Sequence, residues 1–295
     1  MWPPPKQKVR IVVAIPGDIT IDKPLREKTI KIGRVIRSLT AHRVYELVLF
    51  RRGKDDSKII TDLVKYYLTP PYLRKYIPLK DTLRYVGLLP PLRSPSHTVP
   101  GNIDKALSYG FREGILVGFE EGKAIFDIGL GVPAVVTGGR NLRKGVIKTL
   151  KLLSRSEGYI KASIVNIDEI PFYWKPTFSR IFRNLKNTIA NFKKRNFLIL
   201  ATSKYGEDLT AINIEKLVTD IKRKGKVLIL FGSPKEGLYE IAQKEGFKLE
   251  DYSDYILNFI PEQGVYTIRS EEAIDYVLSI LNFLINVKTF KSRGL

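Results

Sequence analysis

Three apolar runs in the last third of the chain end in polar loops of similar make. Phe197–Ala201 leads into "TSKYG", Val227–Phe231 into "GSPKEG", and Tyr255–Ile260 into "PEQGVYTIRSEEA". Parallel sheets collect ligands outside the carboxyl ends of their strands, so these loops are where binding chemistry is expected. The stretch from Lys226 to Gly246 has the layout of a nucleotide loop: a strand, a glycine turn and a helix. Yet no Lys-Ser/Thr pair follows Gly232, and no second turn glycine stands where a dinucleotide fingerprint needs one. The loops hold few cations, namely Lys204, Lys235 and Arg269. A triphosphate site would want more positive charge and a carboxylate for magnesium. The pattern suits instead a neutral or zwitterionic ligand with a purine ring. Phe231, Phe259, Ile260 and Val265 can flank such a ring while backbone groups read its edge. Gly232 and Gly264 are expected to supply close backbone approach and special dihedrals. Ser233-Pro234 sets the turn, and Pro261 stiffens the last loop.

The elements that must hold these loops are legible upstream. Val9–Ile15 is short, apolar and β-branched, which predicts a buried strand. Asp22 is expected to cap the next helix, with Pro24 in its first turn and Leu25, Ile32, Val35, Ile36 and Leu39 on one face. Tyr45–Phe50 predicts a second strand, and "DSKIITDLVKYYL" a helix stopped by Pro70-Pro71. This β-α-β-α order argues for a largely parallel sheet. The texture changes at "LLPPLRSPSHTVPGN". Short apolar runs then alternate with glycine turns, which predicts a small OB-like barrel over about residues 92–172. Beyond Lys175 the α/β texture returns: "TFSRIFRNLKNTIANFKK" is expected to be one basic amphipathic helix, and a last helix starts at Ser270. Ser270 is placed to cap it, and Glu271 and Glu272 favour its positive end. Ile274, Val277, Leu278, Leu281 and Leu284 form a broad apolar face with room for a dimer contact. Each α/β half alone has too few strands for a stable sheet. The expected organisation is therefore one α/β domain, 1–91 with 173–295, interrupted by a barrel at 92–172.

Composition narrows the partner. The chain has 295 residues, a net charge of +20 and 44% hydrophobic content. Clustered Lys and Arg gain free energy by releasing phosphate counterions, so nucleic acid is the expected partner. On the barrel, Lys123, Arg140, Arg143, Lys144, Lys148, Lys151 and Arg155 are met by few acids, and such a face is expected to contact RNA. With no cysteine and two histidines, thiolate zinc sites, cysteine nucleophiles and histidine-rich metal sites are excluded, and no metal is expected. No apolar run reaches membrane-spanning length and "MWPPPKQKVR" lacks the apolar core of a signal peptide, so a cytoplasmic location is expected. The absence of Cys, the single Met and the many Lys, Glu and Ile suit a hot-living source. Several apparent motifs carry nothing. "GLGVPA" (Gly129–Ala134) matches G-x-G-x-x-A, but the chain continues as strand, so it reads as a barrel turn. There is no G-x-S-x-G elbow, His97 lies among prolines, and His42 can serve the carbonyl end of the first helix.

"ILFGSPKEGL", "NFIPEQGVYTIRSEEAI" and "KTIKIGRVIRSLTAHRVYELVLF" together resemble the SPOUT superfamily of methyltransferases. More narrowly they are similar to its archaeal and eukaryotic branch, which carries a β-barrel inserted in the catalytic domain. "LPPLRSPSH" resembles the branch's approach to that barrel, and the likeness covers nearly the whole chain. The resemblance implies a mostly parallel sheet with a carboxyl-terminal trefoil knot, a homodimer, and bound S-adenosylmethionine. By position, Thr202, Gly232, Asn258, Phe259, Ile260, Gly264 and Thr267 would line the cofactor pocket, beside the turn residue Ser233. Arg37 falls on the arginine of the family's first motif, and Arg269 lies in the segment leading into the last helix. Arg37 and Arg269 are candidates to stabilise a developing anion or hold phosphate, and Glu262 or Glu236 to act as base. The activity implied is methylation of a base in structured RNA, ribosomal RNA ahead of transfer RNA, with uridine N3 suggested by the eukaryotic relatives. The rival reading is a non-catalytic RNA-binding assembly factor that keeps a methyltransferase fold.

Overall fold

The computed structural model describes residues 2–139 and 141–287. Arg140, one of the expected RNA contacts, lies outside the described residues. The chain divides into two compact units, both discontinuous in sequence. One comprises 7–64, 84–90 and 176–295; the other comprises 1–6, 65–83 and 91–175.

The larger unit is an α/β sheet of six parallel strands. The strands are β1 (Arg10–Pro16), β2 (Glu46–Phe50), β8 (Thr177–Phe182), β9 (Leu198–Asp208), β10 (Lys226–Leu230) and β11 (Tyr255–Asn258). Their order is β11-β9-β10-β1-β2-β8. The centre is apolar without alternation because both faces are covered, as expected of a parallel sheet; Val12–Ile15 and Leu47–Phe50 are fully buried. On one face, Val12, Ala14, Val48 and Phe50 pack with Leu185, Ile189 and Phe192 of α4 (Leu185–Lys194) and Leu238, Ile241 and Ala242 of α6 (Leu238–Lys244). The remaining helices of the unit's sheet are α1 (Leu25–Ala41), α5 (Ile214–Lys224) and α7 (Ser270–Asn286), with α7 touching both others. Ser38 Oγ donates to Asp275 Oδ1 at 2.7 Å and ties α1 to α7.

Four local expectations change here. Asp22 adopts a left-handed backbone (φ 59°) and pairs with Lys235, while the α1 N-cap is Pro24 with no side-chain cap. "TFSRIFRNLKNTIANFKK" is not one helix. Thr177–Phe182 forms edge strand β8 beside β2, and α4 begins only after Asn184, whose side chain accepts from Asn187 N at 2.8 Å. Pairing with a neighbouring strand overrides the helical spacing, and the Asn184 cap is the sequence signal of the true start. The strand over 197–201 runs on through "TSKYG" to Asp208. The extension is possible because Gly206 lies against β11: a Cβ there would meet Ile256 O at 2.7 Å, at the register shift between Ile256 and Leu257. Finally, Ser270 does not cap α7; the N-cap is Arg269, whose backbone N–H donates to Glu272 Oε2 at 3.1 Å. The apolar residues named on α7 are buried within the chain itself, and the exposed ones are Tyr276 and Phe283.

The smaller unit holds a closed five-stranded barrel of order β3-β4-β5-β7-β6. Its strands are β3 (Phe111–Glu120), β4 (Lys123–Asp127), β5 (Ala134–Thr137), β6 (Ile147–Ser156) and β7 (Tyr159–Ile164), preceded by the short helix α3 (Ile103–Tyr109). "GLGVPA" links β4 to β5 as a turn, with Gly129 and Gly131 at positive φ. Leu116, Phe126, Ala134, Leu150, Leu152 and Ile160 fill the interior. The helix Ser57–Leu68 (α2) bridges the two units in sequence.

His97 is part of this unit's frame. Its Nδ1 lies 2.8 Å from Ser94 Oγ and 3.0 Å from Ser96 Oγ, and its Nε2 lies 3.0 Å from Tyr67 O. Burial first, then nearby Lys175, pushes its pKa down to about 3. The folded state therefore holds a neutral ring, while the unfolded chain takes up a proton below pH 6.5. Stability from this group is complete above pH 6.5 and is lost as pH falls toward 3. His97→Gln is expected to flatten the loss of stability between pH 7.5 and 5 relative to the parent chain, read as urea midpoints. An unchanged slope would refute the assignment.

Candidate functional site

The middle of β9 (residues 202–205) and the loops after β10 and β11 enclose a cavity of about 430 Å3, within the roughly 300–1,000 Å3 of small-molecule and cofactor sites. Each wall is held by its own local bonding. Thr202 Oγ1 donates to Leu230 O at 2.8 Å, locking the middle of β9 to the end of β10. In the glycine turn, Ser233 N donates to Glu236 O at 2.8 Å, and Ser233 Oγ accepts from Glu236 N at 3.1 Å. This is the serine turn that lets a short side chain replace a longer loop. In the third wall, Asn258 Oδ1 accepts from Ile260 N at 3.1 Å and Asn258 Nδ2 donates to Asp208 Oδ1 at 2.9 Å.

The structure brings Thr202, Gly232, Ser233, Asn258, Phe259, Ile260 and Thr267 together around this one cavity. Phe231 also lines it. Gly264 does not line it, has no positive φ, and has nothing within 4 Å of a Cβ placed there. Gly232 has no special dihedral either, but the close approach holds: its Cβ would stand 3.0 Å from Glu236 O and from Gly237 Cα. Val265, at 58% exposure, is outside the lining. Lys204, Tyr205 and Tyr266 line the cavity as well, and sequence reasoning missed the two tyrosines. Lys204 Nζ sits 4.9 Å from both tyrosine ring centres. Two exposed tyrosines, one on the irregular half of β9 and one in the loop after β11, carry no periodicity by which to find them.

A second cavity, of about 390 Å3, abuts the first. Pro234, Thr267, Ile268 and Ser270 line both. Arg269 lines this second cavity, as do Lys31, Arg34 and Glu271. Arg37 and Glu262 line neither; Arg37 is exposed on α1 one turn past Arg34, and Glu262 is exposed with a left-handed backbone (φ 53°).

Beside the first cavity lies a charged cluster on the loops after β1, β2 and β10. Arg52 pairs with Glu236 and stands 3.7 Å from Asp18 Oδ2. Lys244 also pairs with Glu236, and its hydrogen bond is the main reason the Glu236 carboxyl is held below the usual range, with Arg52 adding to it. A carboxylate so engaged is a poor proton acceptor, which argues against Glu236 as a base. Burial raises the Asp18 carboxyl, and Arg52 partly offsets this. Asp18 and Arg52 were not singled out by sequence, although they follow apolar strands just as the late loops do.

On the barrel, Arg143 and Lys144 are exposed in the loop between β5 and β6. Lys151 is exposed on β6, between buried Leu150 and Leu152; Lys148 shares the parity of those leucines and pairs across to Gly114. The two lysines therefore lie on opposite sides of β6 and do not make one continuous face.

Among the described residues, no group of His, Cys, Asp and Glu could hold a metal ion, and no helix is long and apolar enough to cross a membrane. Residues 10–281 match the family described as "Putative RNA methyltransferase". An uncharacterised protein of Haloarcula marismortui is 29% identical over 281 residues, covering 87% of this chain and 92% of that one. The human 28S rRNA (uridine-N(3))-methyltransferase is 27% identical over 303 residues, covering 91% of this chain and 77% of that one. The Drosophila melanogaster protein of the same name is 25% identical over 306 residues; 91% of this chain corresponds to 61% of that longer protein. With 10–281 matched in a chain of 295 residues, this α/β protein and its barrel belong to that RNA methyltransferase family.

Proposed function

We propose that the chain methylates a base of structured RNA, ribosomal RNA by preference, with N3 of a uridine as the acceptor and S-adenosylmethionine as the donor. The observation that carries the reading is the first cavity. It is walled by backbone turns and apolar side chains where the strands end in polar segments, and the cations in its lining are Lys204, stacked between two tyrosines, and Lys235, paired with Asp22. A Cβ at Gly232 would press on the backbone of the same turn, so the chain is built to run close to whatever lies there. These features fit S-adenosylmethionine, which has an adenine ring, a zwitterionic amino acid tail and no phosphate. When bound, it supplies a methyl group made electrophilic by the sulfonium. The protein's part is alignment. Phe231, Phe259 and Ile260 flank the ring; Thr202, Ser233, Asn258 and Thr267 hold its polar edges. Arg269 stabilises negative charge on the acceptor base, and Arg37 takes an RNA phosphate beside the second cavity. Glu262, on the third loop, lies outside both cavities, so the proton is not assigned to it.

The same reading assigns the barrel at 92–172 to RNA, through Arg143, Lys144 and Lys151 with Lys148 on the other side of β6 and Arg140 outside the described residues, and the α/β domain (1–91 and 173–295) to catalysis. Adjacency of β11 to β9, with β10 between β9 and β1, supports a carboxyl-terminal trefoil knot. The exposed Tyr276 (45%) and Phe283 (65%) on α7 support a homodimer through that helix, and a cytoplasmic location completes the reading. Titration calorimetry with S-adenosylmethionine, followed by labelled methyl transfer to unmodified ribosomal RNA and mapping of the product, tests the reading. Saturable heat and one labelled uridine are expected. No heat and no label would favour the non-catalytic assembly factor.

A further inference from the structure

The second cavity has a chemistry of its own. Its apolar lining comes from Ile19, Ile21 and Ile268, with Ile30 at the exposed edge. Arg34 and Arg269 line it and are exposed. One lining group is at odds with the rest: the Glu271 side chain is only 8% exposed, and its Oε2 has no hydrogen-bond partner. Lys31 Nζ is 3.0 Å from that oxygen but makes an ion pair without hydrogen-bond geometry. A buried carboxylate oxygen with an open lone pair is costly, and such groups in native proteins usually await a ligand, a water or a catalytic duty.

We infer that the second cavity receives the nucleobase to be methylated, and that Glu271 accepts the hydrogen bond of its ring N–H. The inference rests on the methyltransferase reading above and adds the substrate side of that site. An apolar slot edged by guanidinium groups suits a flat, uncharged ring on an anionic chain, and base chemistry requires the base to leave its stack. The wall shared through Thr267, Ile268 and Ser270 puts the ring next to the donor cavity. In the reaction the ring N–H proton passes to Glu271 Oε2. The electron pair left on nitrogen forms the bond to the methyl carbon as the carbon–sulfur bond of the sulfonium breaks. Lys31 Nζ, 3.0 Å from Oε2, holds the carboxylate in place. The other charged groups around the cavity are Lys23, Glu27, Arg34 and Arg269, with Glu27 paired to Lys23 at 3.7 Å.

Two variants test this. Glu271→Gln is expected to bind S-adenosylmethionine within about twofold of the parent and to slow single-turnover methylation at least about 100-fold. It should also lose the acidic limb of the rate–pH profile. Ile30→Trp fills the slot from its exposed edge without touching the carboxylate. It is expected to leave cofactor affinity and sedimentation mass unchanged, to raise KM for RNA at least about tenfold, and to suppress NMR shifts that uridine 5′-monophosphate induces in the parent. Parent-like methylation and pH dependence in Glu271→Gln would overturn the inference. So would nucleotide shifts untouched by Ile30→Trp, or a changed mass in that variant, which would make the slot a seat for a second copy. A parent chain that neither binds cofactor nor methylates RNA would instead sink the methyltransferase reading.

Discussion

Gly232→Val is expected to abolish S-adenosylmethionine binding while the chain stays folded. The first added carbon would lie 3.0 Å from Glu236 O and Gly237 Cα and 3.3 Å from Gly237 C. All three are backbone atoms, so none can swing aside as a side-chain tip can. The turn cannot relax outward cheaply, because Ser233 N to Glu236 O and the Ser233 hydroxyl close it from within. Valine's two further methyl groups would compete with the ligand for the cavity. A loss of at least about 100-fold in Kd is expected, about 2.7 kcal/mol, against an overpacking cost to stability of about 1–3 kcal/mol. Gly264→Ala is the control: nothing lies within 4 Å and φ is ordinary, so its Kd should stay within about twofold. Calorimetry and thermal unfolding of both variants decide the matter. Equal effects at the two glycines would show that the turn after β10 is not the cofactor wall.

Arg52→Ala is expected to be the most damaging single change to the frame around the cavity. Arg52 is mostly buried and is the cation between Asp18 and Glu236, linking the loop after β1 to the glycine turn after β10. Removing the cation from this half-buried cluster leaves two carboxylates short of a partner and costs about 1–3 kcal/mol. The pH dependence carries a sign. Burial already raises the Asp18 carboxyl in the folded state, and loss of Arg52 removes what pulls it down. A raised carboxyl binds its proton more tightly when folded, so this group costs stability as pH climbs from its unfolded pKa through its folded one. The variant should therefore recover part of its deficit at pH 5 and show the full deficit at pH 8. Cofactor affinity should fall with it, since Glu236 is left with Lys244 alone among its ion-pair partners. Urea midpoints at the two pH values test the sign, and a deficit independent of pH would exclude Asp18 as its source.

Much of the α/β frame was legible because a parallel sheet buried on both faces writes itself as short apolar runs separated by helices, as Val12–Ile15, Leu47–Phe50 and Val227–Leu230 do. That the late segments share one cavity was also legible, since the rule that ligands collect at strand ends needs only the strand ends. Reading failed where long-range pairing overrode local preference. Thr177–Phe182 became a strand because β2 offered an open edge, and Thr202–Asp208 stayed a strand because Gly206 lets β11 approach. The base-side cavity could not be read at all. Lys31 on α1 meets Glu271 on α7 across more than 230 residues of chain, with Arg34 lining the same cavity, and nothing in "KIGR" or "RSEEA" announces the other.

The sequence by itself determined the class of this protein: the parallel order of its sheet, a barrel of short glycine-punctuated strands, a basic surface, and three phosphate-free loops for a cofactor. Those features follow from periodicity, composition and residue type, which are local. Tertiary structure alone decided which charges face one another. Glu236 became a locked ion-pair partner, Glu262 an exposed loop residue, and Glu271 a buried carboxylate with an open lone pair. A carboxylate's proton affinity and reach are set by the burial, charges and donors around it, and those are supplied by segments far away in the chain.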